Sequence, residues 1–498
     1  MSRGAGGVRG AADRVVIVGA GIAGLATARA LRERAARAGR PLEILVLERS
    51  DRPGGNIRTD VIDGYVCEWG PNGFLDNVPE TLELVHALGL DGSIQVSDDS
   101  ARKRFIFRGG VLHQLPEGPG AFVRSKLLSW RAKCRIAFEP FAAKRPDGDE
   151  TIHAFASRRI GREPADILID SMVSGIFAGD SRDLSLRACF PKMWQMETDH
   201  GGLFRAMLAL RKAKRRGAGL ESLPPAQGPK RQAPMGSPTG TLTSFREGTE
   251  ALVRALLRSL GGVVRTNVRV VRVEALPRPA VGAPDSSRRF GLRLADGSTL
   301  DADSVVLSGH ASDTARCVDG FDPELAATLR RIRTASIVVV CLGYTASRLA
   351  RPLDGFGFLV PRGQGPRILG CLWDSSVYPG RAPTGKVLIR AMIGGARDPD
   401  AIDLPDAPLL DVVEADLRRT MGLHIEPEFV QIFRHPLGIP QYTPGHLDRL
   451  AAIEASLASR PGLYVAGNSY RGVSMNSCIA ESGPAADRIL SALGPGVG

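Results

Sequence analysis

A glycine-rich turn near the beginning of the chain constrains the fold more than any other feature. Val15–Val18 is apolar and β-branched throughout, as a buried parallel strand requires, and a helix is expected over Leu25–Arg34. Between them lies the segment Gly19-Ala20-Gly21-Ile22-Ala23-Gly24. Gly19 permits a tight turn, Gly21 lets the backbone approach a pyrophosphate, and Gly24 allows the helix to pack closely on the strand. The turn therefore predicts a dinucleotide-binding βαβ unit in an α/β fold.

The residues after the second predicted strand narrow the choice of dinucleotide. This strand, Leu42–Leu47, ends at Glu48, whose carboxylate is placed to accept hydrogen bonds from ribose hydroxyls and favours FAD or NAD over NADP. The Gly54-Gly55 doublet with the nearby Arg58 resembles the one that continues the site in FAD enzymes of the amine-oxidase type. No second GxGxxG segment occurs in the sequence, so a separate NAD(P)H domain is not supported. Reoxidation of the flavin by oxygen or a quinone is expected.

The end of the chain has the pattern of a second half of the same site. A short apolar strand is predicted over Gly462–Ala466, followed by Gly467, a turn over Tyr470–Asn476 and a helix that ends at Leu490. The N-terminus of that helix is placed to stabilise negative charge on a reduced flavin.

The middle of the chain is predicted to return to the nucleotide domain. A helix is expected over Ala251–Leu260, and strands over Val268–Glu274 and Ser304–Ser308 with a polar hairpin between them. Val268 is a candidate for backbone contact with the adenine. A nucleotide domain assembled from three separate stretches of the chain follows from these two returns.

The charge of the chain permits an anionic partner without requiring one. The 498 residues carry a net charge of +12, which fits a membrane surface or an acidic ligand, and equally a basic, well-solvated surface. No recognised nucleic-acid motif accompanies the charge, so no nucleic-acid partner is expected. Seven cysteines without a CxxC pair argue against a zinc site or a disulfide framework and fit a reducing compartment. No run of 18 apolar residues occurs, so no spanning helix is expected.

Two further segments have distinctive compositions. Residues 113–145 contain seven Lys or Arg and two Glu, interleaved with aromatic and Leu residues such as Phe122, Trp130 and Phe138. This pattern fits a helical lobe in a membrane interface, and it fits an ordinary helical lobe with a basic face equally well. Residues 211–240 are rich in Pro, Gly and basic residues and predict a flexible surface loop.

Residues 334–395 are rich in predicted strands. Strands are expected over Ser336–Leu342, Gly355–Pro361, Arg367–Trp373 and Lys386–Ile393. Several have apolar residues on both faces, which predicts an antiparallel sheet forming one wall of a large apolar pocket. For most of these side chains a plain hydrophobic core explains the pattern as well.

Taken together, the chain resembles the oxygen-dependent protoporphyrinogen oxidases, which are FAD enzymes of haem biosynthesis in the flavin amine oxidase superfamily. The resemblance spans nearly the whole chain, and its first two motifs occur in many flavin amine oxidases whereas SGIFAGD and GIPQYTPGH are far more restrictive. The motifs are RVVIVGAGIAGLA, LERSDRPGGNIRT, EWGPNGFL, KRFIFRGGVLHQLP, SGIFAGDSRDLSLRACFP, DGFGFLVP, HPLGIPQYTPGHL and LYVAGNSYRGVSMNSCIAESG.

The resemblance implies a fold of three regions. These are a discontinuous Rossmann-like FAD domain of the para-hydroxybenzoate-hydroxylase type, an antiparallel-sheet substrate domain and a helical membrane-binding lobe. It also implies a homodimer that is cytoplasmic and associates peripherally with the inner face of a bacterial cell membrane. The boundaries expected are 12–100, 241–310 and 436–498 for the FAD domain, 101–112 for a substrate-site segment, 113–210 for the lobe and 311–435 for the substrate domain.

The resemblance further implies a six-electron oxidation of protoporphyrinogen IX, by hydride transfer from a bridging methylene to flavin N5, with three oxygen molecules reduced to hydrogen peroxide. Arg104 aligns with an arginine that pairs with a propionate. Leu359, Leu372 and Met392 align with residues that sandwich the pyrrole rings, and Gly175 with a glycine lining the site. Catalysis would be mainly positioning, so no general base is named. The residues expected to bind FAD are those of the 19–24 turn together with Glu48, Arg49, Gly54, Gly55, Asn56, Arg58, Gly70, Pro71, Asn72, Gly73, Val268, Leu447, Gly467, Val473, Ser474 and Met475.

Some positions depart from the family pattern, and three other functions stay open. Met475 stands where relatives usually carry a branched aliphatic residue, and Ser477 where they often carry Asp. Leu447 occupies a position that is Trp in some members. A coproporphyrinogen III oxidase of the same superfamily would need more cationic groups, because its substrate has four propionates. An amine oxidase with another substrate, and a non-catalytic carrier that reuses the fold as GDP-dissociation inhibitors do, are the remaining alternatives.

Overall fold

The structure is a computed structural model, and it describes residues 12–145, 147–215, 240–276 and 289–494. Most of the predicted flexible loop, from 216 to 239, lies outside the described residues, and so does part of the predicted polar hairpin, from 277 to 288. Residues 211–215 of that loop belong instead to a helix.

Each strand predicted above is present, with bounds that differ by a few residues, and the described residues form further strands that were not predicted. In chain order they are β1 (Asp13–Val18), β2 (Leu42–Leu47), β3 (Thr59–Ile62), β4 (Tyr65–Glu68), β5 (Phe74–Leu75), β6 (Ile94–Val96), β7 (Arg104–Arg108), β8 (Val111–Gln114), β9 (Leu242–Phe245), β10 (Val264–Arg265), β11 (Val270–Ala275), β12 (Phe290–Leu294), β13 (Thr299–Ala302), β14 (Ser304–Leu307), β15 (Thr334–Thr345), β16 (Gly357–Leu359), β17 (Ile368–Leu372), β18 (Lys386–Gly394), β19 (Phe429–Pro440) and β20 (Leu463–Val465).

The described helices cluster around the two main sheets and in a lobe between residues 119 and 215. They are α1 (Ile22–Arg37), α2 (Pro79–Ala87), α3 (Pro119–Arg124), α4 (Trp130–Ala137), α5 (Ile152–Ile160), α6 (Arg162–Pro164), α7 (Asp170–Phe177), α8 (Leu186–Cys189), α9 (Pro191–His200), α10 (Leu203–Arg215), α11 (Glu250–Leu260), α12 (Ala311–Val318), α13 (Pro323–Arg330), α14 (Asp374–Val377), α15 (Asp406–Met421), α16 (His446–Ala458) and α17 (Met475–Ala492).

A five-stranded parallel sheet carries the predicted nucleotide fold. Its order is β10-β2-β1-β14-β20, and every described pair is parallel. Side chains alternate along β1, so Val15 and Ile17 pack towards α1, α11 and α17 whereas Val16 packs towards α12, α13 and α16. The strands come from three distant stretches of the chain, as the predicted returns require, and the sheet is covered by helices on both faces.

A seven-stranded sheet contains the strands predicted for the substrate region. Its order is β19-β15-β18-β17-β16-β7-β8. The four strands predicted within residues 334–395 pair antiparallel, as expected. The parallel pair of β16 with β7 joins them to a strand from outside that stretch, so the sheet as a whole is mixed. The strands β8 to β15 and the helices between them separate β7 from β16 in the chain, so the two strands are free from the geometry of a hairpin. The predicted boundary between residues 435 and 436 falls inside β19.

The alternation of side chains in this sheet separates a core face from a cavity face. Val338, Val340 and Leu342 of β15 point into a core completed by α15, whereas Val339 and, opposite it on β18, Met392 line a cavity. Of the two interpretations of this region, the hydrophobic core applies to one face of the sheet and the pocket wall applies to the other.

Candidate active site

One large cavity has walls from both main sheets, from the N-termini of α1 and α17 and from α7. Its volume is about 690 Å³, which lies in the usual range for cofactor and ligand sites. The predicted site residues that line it are Gly19, Gly21, Ile22, Ala23, Glu48, Arg49, Gly54, Gly55, Asn56, Gly70, Pro71, Asn72, Gly73, Gly175, Val268, Leu359, Leu372, Met392, Gly467, Val473, Ser474 and Met475.

The three glycines of the first turn have different surroundings. Gly19 has a φ of +108°, which few other residues tolerate. A Cβ at Gly24 would lie 2.1 Å from the Gly19 carbonyl oxygen, so this position needs glycine for the helix to meet the strand. A Cβ at Gly21 would have no described neighbour within 4 Å. Gly21 thus borders open cavity at the helix N-terminus, where a pyrophosphate fits.

Glu48 stands at the end of β2 and holds the turn in place. Its Oε2 accepts a hydrogen bond from the Ala20 amide at 2.8 Å, and its Oε1 accepts from the amide and hydroxyl of Ser50 at 3.0 and 2.7 Å. The Val268 amide donates to the Glu48 carbonyl at 2.8 Å. Carboxylate oxygens accept more than one hydrogen bond each, so a ribose hydroxyl can share this group.

The Gly54-Gly55 doublet packs directly against the first turn. The Gly54 amide donates to the Ala20 carbonyl at 2.8 Å, and Gly54 has a φ of +116°. A Cβ at Gly55 would contact the Gly21 Cα at 3.4 Å. The two glycine-rich segments, 30 residues apart in sequence, therefore form one continuous backbone surface on the cavity.

The beginning of α17 closes the same cavity from the other side, as predicted. Ser474 caps the helix, because its Oγ accepts a hydrogen bond from the Ser477 amide at 3.1 Å. Val473 and Met475 line the cavity beside it. Two helix N-termini, of α1 and α17, hence open onto one cavity, and both favour negative charge there.

A buried group of four charges supports the wall formed by residues 68–73, and no pattern in the sequence predicted this group. Arg390 donates from Nη1 to the carbonyls of Glu68 and Gly70 at 3.0 and 2.9 Å, and its Nε lies 3.2 Å from the Asp374 carboxylate. Arg381 donates to the Glu68 carboxylate at 3.0 Å. Burial raises the pKa of Glu68 and of Asp374, against the opposing effect of the two guanidinium groups.

Four predicted substrate residues face one another at the far end of the cavity. Leu359, Leu372 and Met392 lie on three neighbouring strands of the seven-stranded sheet, and Gly175 of α7 lies opposite. A Cβ at Gly175 would be 2.9 Å from the Leu359 Cδ2. The absence of a side chain at Gly175 therefore sets the distance between helix and sheet.

Arg104 does not line the cavity itself but lies one strand beyond it. Arg104 lies in one row of cross-strand neighbours that runs over four strands of the sheet. The row continues through Gly357 and Leu372 to Arg390. The Arg104 guanidinium carbon is 5.1 Å from the Phe356 ring centroid. Arg104 is solvent-exposed, yet the surrounding protein desolvates its guanidinium and lowers its pKa.

Four residues predicted to bind FAD stand behind the lining. Ala20 and Gly24 act through the turn, as described above. Arg58 stacks on the Trp69 ring, with 4.0 Å from its guanidinium carbon to the ring centroid, and donates to Asp60 at 2.8 Å. Leu447 packs into the core under the parallel sheet. For Arg58 and Leu447 the structure thus shows packing in place of a direct contact with the cavity.

The end of the cavity lined by the Gly19–Gly24 turn is its nucleotide end. The sequence analysis missed the part of this end that follows β14. Ser308, Gly309 and His310 line the cavity there with Asp313 of α12, and Arg49 pairs with Asp313 at 3.0 Å. Burial, with a smaller effect of Arg49, lowers the pKa of His310 to about 4. The signal was available, because ligands bind beyond the carboxyl ends of parallel strands and a strand had been predicted up to Ser308.

The residues present fit an FAD molecule. Backbone around Gly21, the Gly54-Gly55 doublet and two helix N-termini suit its diphosphate and flavin, and Glu48 suits its ribose. Residues 22–490 match the family of flavin containing amine oxidoreductases, and the chain belongs to this family. It is an oxidoreductase with FAD as its cofactor.

The chain is similar over nearly its full length to several known proteins. It is 35% identical to a protoporphyrinogen oxidase from Bos taurus over 497 residues, which cover 96% of this chain and 98% of the relative. It is 31% identical to a coproporphyrinogen III oxidase from Bacillus subtilis (strain 168) over 491 residues, which cover 96% and 98%. Among solved structures, a putative protoporphyrinogen oxidase from Exiguobacterium sp. 255-15 superposes with a TM-score of 0.79 at 26% identity, covering 96% of this chain and 99% of that one.

Proposed function

We propose that the chain oxidises protoporphyrinogen IX to protoporphyrin IX with molecular oxygen as electron acceptor. The observation that carries the proposal is the substrate end of the cavity, which Leu359, Leu372 and Met392 line together with Gly175, and where Gly175 packs against the Leu359 side chain. A large, apolar macrocycle suits such an apolar lining. Its two propionates match a small number of cations near the edge of the sheet, where Arg104 stands.

The chemistry needs little from the side chains beyond binding and orientation. The substrate loses six hydrogen atoms, and three oxygen molecules take them up as three molecules of hydrogen peroxide. When bound, the flavin supplies the two-electron acceptor for each step. The apolar walls hold the macrocycle against the cofactor and exclude water, and the N-terminus of α17 favours negative charge beside it.

Coproporphyrinogen III is the second candidate substrate, since relatives from Bacillus subtilis and Propionibacterium freudenreichii are named as coproporphyrinogen III oxidases. Its four propionates require more cations at the substrate end. Of the described residues of α7 and the seven-stranded sheet that line the cavity, Arg390 is the one Arg or Lys, and Asp374 matches its charge. This balance favours the substrate with fewer carboxylates.

A comparison of two substrates tests the proposal. Rates of porphyrin formation are measured by product fluorescence with each porphyrinogen over a range of concentrations. We expect a higher kcat/KM with protoporphyrinogen IX. A higher value with coproporphyrinogen III would replace the substrate but keep the reaction class. A purified chain that stays colourless after addition of FAD, and forms no porphyrin from either substrate, would instead support a non-catalytic carrier.

We also propose that the helical lobe binds the inner face of the cell membrane peripherally, from the cytoplasm. Among the described residues, no helix is both long and apolar enough to cross a bilayer. The lobe does expose large apolar side chains beside its basic residues, notably Trp130, Phe138 and Phe141, of which Phe141 is 80% exposed. Amphipathic surfaces of this kind insert shallowly into anionic interfaces.

Flotation with anionic liposomes at low salt tests this association. We expect the wild-type chain to float and a Phe138→Ser/Phe141→Ser variant to float several-fold less. Val61→Ser is the matched control, because Val61 is 63% exposed but lies on β3, outside the lobe. Equal flotation of all three proteins, or none at all, would leave the lobe as an ordinary basic surface. The homodimer expected from the family is tested by light scattering on the same samples.

A further inference from the structure

Helix α7 forms the wall of the substrate end that is not part of a sheet. Ser174, Gly175 and Ile176 of this helix line the cavity, as does Ala178 just after it. The opposite wall, with Leu359 and Met392, comes from chain about 180 to 220 residues further on. The separation of these walls decides whether a flat ring fits, so the contacts that hold α7 against the sheet control the site.

The first residue of α7 is the centre of those contacts. Asp170 is 3% exposed. Its Oδ1 accepts a hydrogen bond from the Ser181 hydroxyl at 2.8 Å. Its Oδ2 lies 2.8 Å from Nη2 of Arg397 and accepts a longer hydrogen bond, at 3.4 Å, from the Arg362 amide. One carboxylate thus joins α7 to the loop after β16 and to the loop after β18.

Arg397 reinforces the same junction through the backbone. Its Nη2 also donates to the carbonyl of Asp170 at 3.0 Å, so one nitrogen contacts both the side chain and the main chain of that residue. Arg397 follows β18, the strand that carries Met392. Its side chain is largely buried, and burial lowers its pKa, in opposition to the effect of Asp170.

The C-terminal end of α7 is tied to the same region. The Ala396 amide donates to the Ala178 carbonyl at 2.7 Å, and the Gln441 side chain donates to the Phe177 carbonyl at 2.9 Å. Both ends of the helix are therefore fixed to chain that neighbours the sheet, and Gly175 between them rests on Leu359. Losing one buried anchor leaves a charge without its partner and lets the helix shift.

We propose that Asp170 and Arg397 are positioning residues for the substrate, whose ion pair fixes how α7 packs against the sheet and so shapes the cavity wall that receives the macrocycle. The pair acts through Gly175 and Met392 and not through FAD, because its partners named above belong to α7, the loop after it and the two loops of the sheet. This inference rests on the proposed porphyrinogen substrate. A second pair, Arg362 with Asp180, lies nearby but is more exposed, and exposed pairs contribute little.

The test compares three single variants with the wild type. Arg397→Gln removes the charge, and Arg397→Lys keeps it. Arg362→Gln is the matched control, because it removes the exposed pair but keeps the amide that Asp170 accepts from. For each purified holoenzyme we measure FAD per chain, KM and kcat with protoporphyrinogen IX, and the Kd of protoporphyrin IX from fluorescence quenching.

We expect Arg397→Gln to raise KM and Kd roughly tenfold, with FAD content and kcat within about twofold of the wild type. Arg397→Lys recovers part of the loss, and Arg362→Gln stays within about twofold. If Arg397→Gln does not fold, Asp170→Asn replaces it, since the amide keeps the partners of Oδ1 and the isosteric shape. Asp170→Asn is expected to raise KM and Kd in the same way.

Unchanged KM and Kd in a folded Arg397→Gln or Asp170→Asn variant would overturn the inference. So would a loss of FAD in proportion to the rise in KM, because that marks a general structural role. Failure of the proposed function is recognised separately. A wild-type chain that binds protoporphyrin IX without oxidising the porphyrinogen overturns the oxidase proposal, and the Kd values of the variants then still decide on the ion pair.

Discussion

The two ends of the cavity are built in opposite ways. The nucleotide end is made mostly of backbone, from turns that follow parallel strands, such as Gly19–Gly24 after β1 and Gly467 after β20. The substrate end is made of side chains that project from one face of a sheet and of a helix that belongs to another part of the chain. Backbone surfaces require particular local sequences, whereas side-chain walls require long-range contacts.

The effect of a substitution should depend on the end of the cavity at which it lies. At the nucleotide end, added atoms collide with backbone or with the cofactor, and neither can move far. At the substrate end, added or lost atoms meet flexible side chains that adjust, as the Leu359 side chain would beside Gly175. Substitutions at the first end should therefore affect cofactor retention, and those at the second should affect substrate affinity.

The largest expected effect comes from the glycines of the first turn. Gly24→Ala places a Cβ 2.1 Å from the Gly19 carbonyl oxygen. We therefore expect the free energy of unfolding to fall by several kcal/mol. Gly21→Ala meets open cavity, so we expect a folded apoprotein whose FAD affinity falls by roughly 100-fold or more. Thermal unfolding of the apoprotein and flavin fluorescence titration measure the two effects.

Gly89→Ala serves as a control for both, because it also meets open space but lies at the end of α2; its φ of +69° makes a small loss of stability expected. If Gly21→Ala retained FAD with wild-type affinity, the pyrophosphate would not lie at this turn and the assignment of the nucleotide end would fail.

The second effect in size concerns Arg104. We expect Arg104→Ala to raise KM for the porphyrinogen by roughly 10- to 100-fold, the range for losing a charge-assisted carboxylate contact, while FAD per chain stays constant. Lys103→Gln is the control, because Lys103 is the adjacent cation and pairs with Asp354 at 2.6 Å. An unchanged KM would show that Arg104 does not contact the substrate. This outcome is open, because Arg104 lies one strand beyond the residues that line the cavity.

Acid should weaken the elements around the nucleotide end. Burial lowers the pKa of His446 to about 4, and its Nε2 is 2.9 Å from the Tyr470 carbonyl in the loop before α17. His446 is neutral in both states at pH 7. Below about pH 6.5 the unfolded chain takes up a proton that the folded chain refuses until about pH 4. The free energy of unfolding therefore decreases as the pH is lowered from about 6.5 to about 4.

Urea unfolding at about pH 7 and pH 5 measures this dependence. We expect His446 to contribute about 1–3 kcal/mol of the loss, and His446→Gln to show a correspondingly smaller difference between the two pH values. His113→Gln is a suitable control, because His113 lies on the edge strand β8 and is less buried. Identical pH differences in all three proteins would show that His446 titrates normally.

The smallest expected effect is at Ala178, which lies at the substrate end with a left-handed φ of +45°. Glycine adopts this conformation without steric cost, so Ala178→Gly is expected to change stability by no more than about 1 kcal/mol, in the stabilising direction, with KM within about twofold. Thermal unfolding and steady-state kinetics measure both. Destabilisation beyond about 1 kcal/mol would mean that the Ala178 methyl contributes packing at this wall.

The contrast between the two ends also explains how far the sequence could be interpreted. Glycine spacing, strand ends and caps are local signals, so β1, β2, α1 and α17 and most of the nucleotide lining could be predicted from the residues themselves. The substrate residues rested on family resemblance, because nothing local to Leu359 or Gly175 indicates that they meet. The parallel pairing of β16 with β7 is likewise a long-range property.

Buried charges were the least predictable part of the site. Arg390, Asp374 and Glu68 come from three distant segments, and each reads in isolation as a surface residue. The same holds for Asp170 and Arg397. His310 could have been found, because it follows a predicted parallel strand. Arg58 and Leu447 were expected to contact the cofactor. In the structure Arg58 stacks on Trp69, and Leu447 packs against the core under the parallel sheet.

On the proposed function, this cavity brings a porphyrinogen and the flavin together for electron transfer. Anaerobic stopped-flow mixing of excess oxidised holoenzyme with limiting protoporphyrinogen IX measures that transfer. Six electrons per macrocycle predict that about three flavins bleach for each porphyrin formed, at matching rates. Porphyrin that forms without flavin bleaching, or flavin that stays oxidised while the porphyrinogen persists, would show that the porphyrinogen does not reduce the flavin in this cavity.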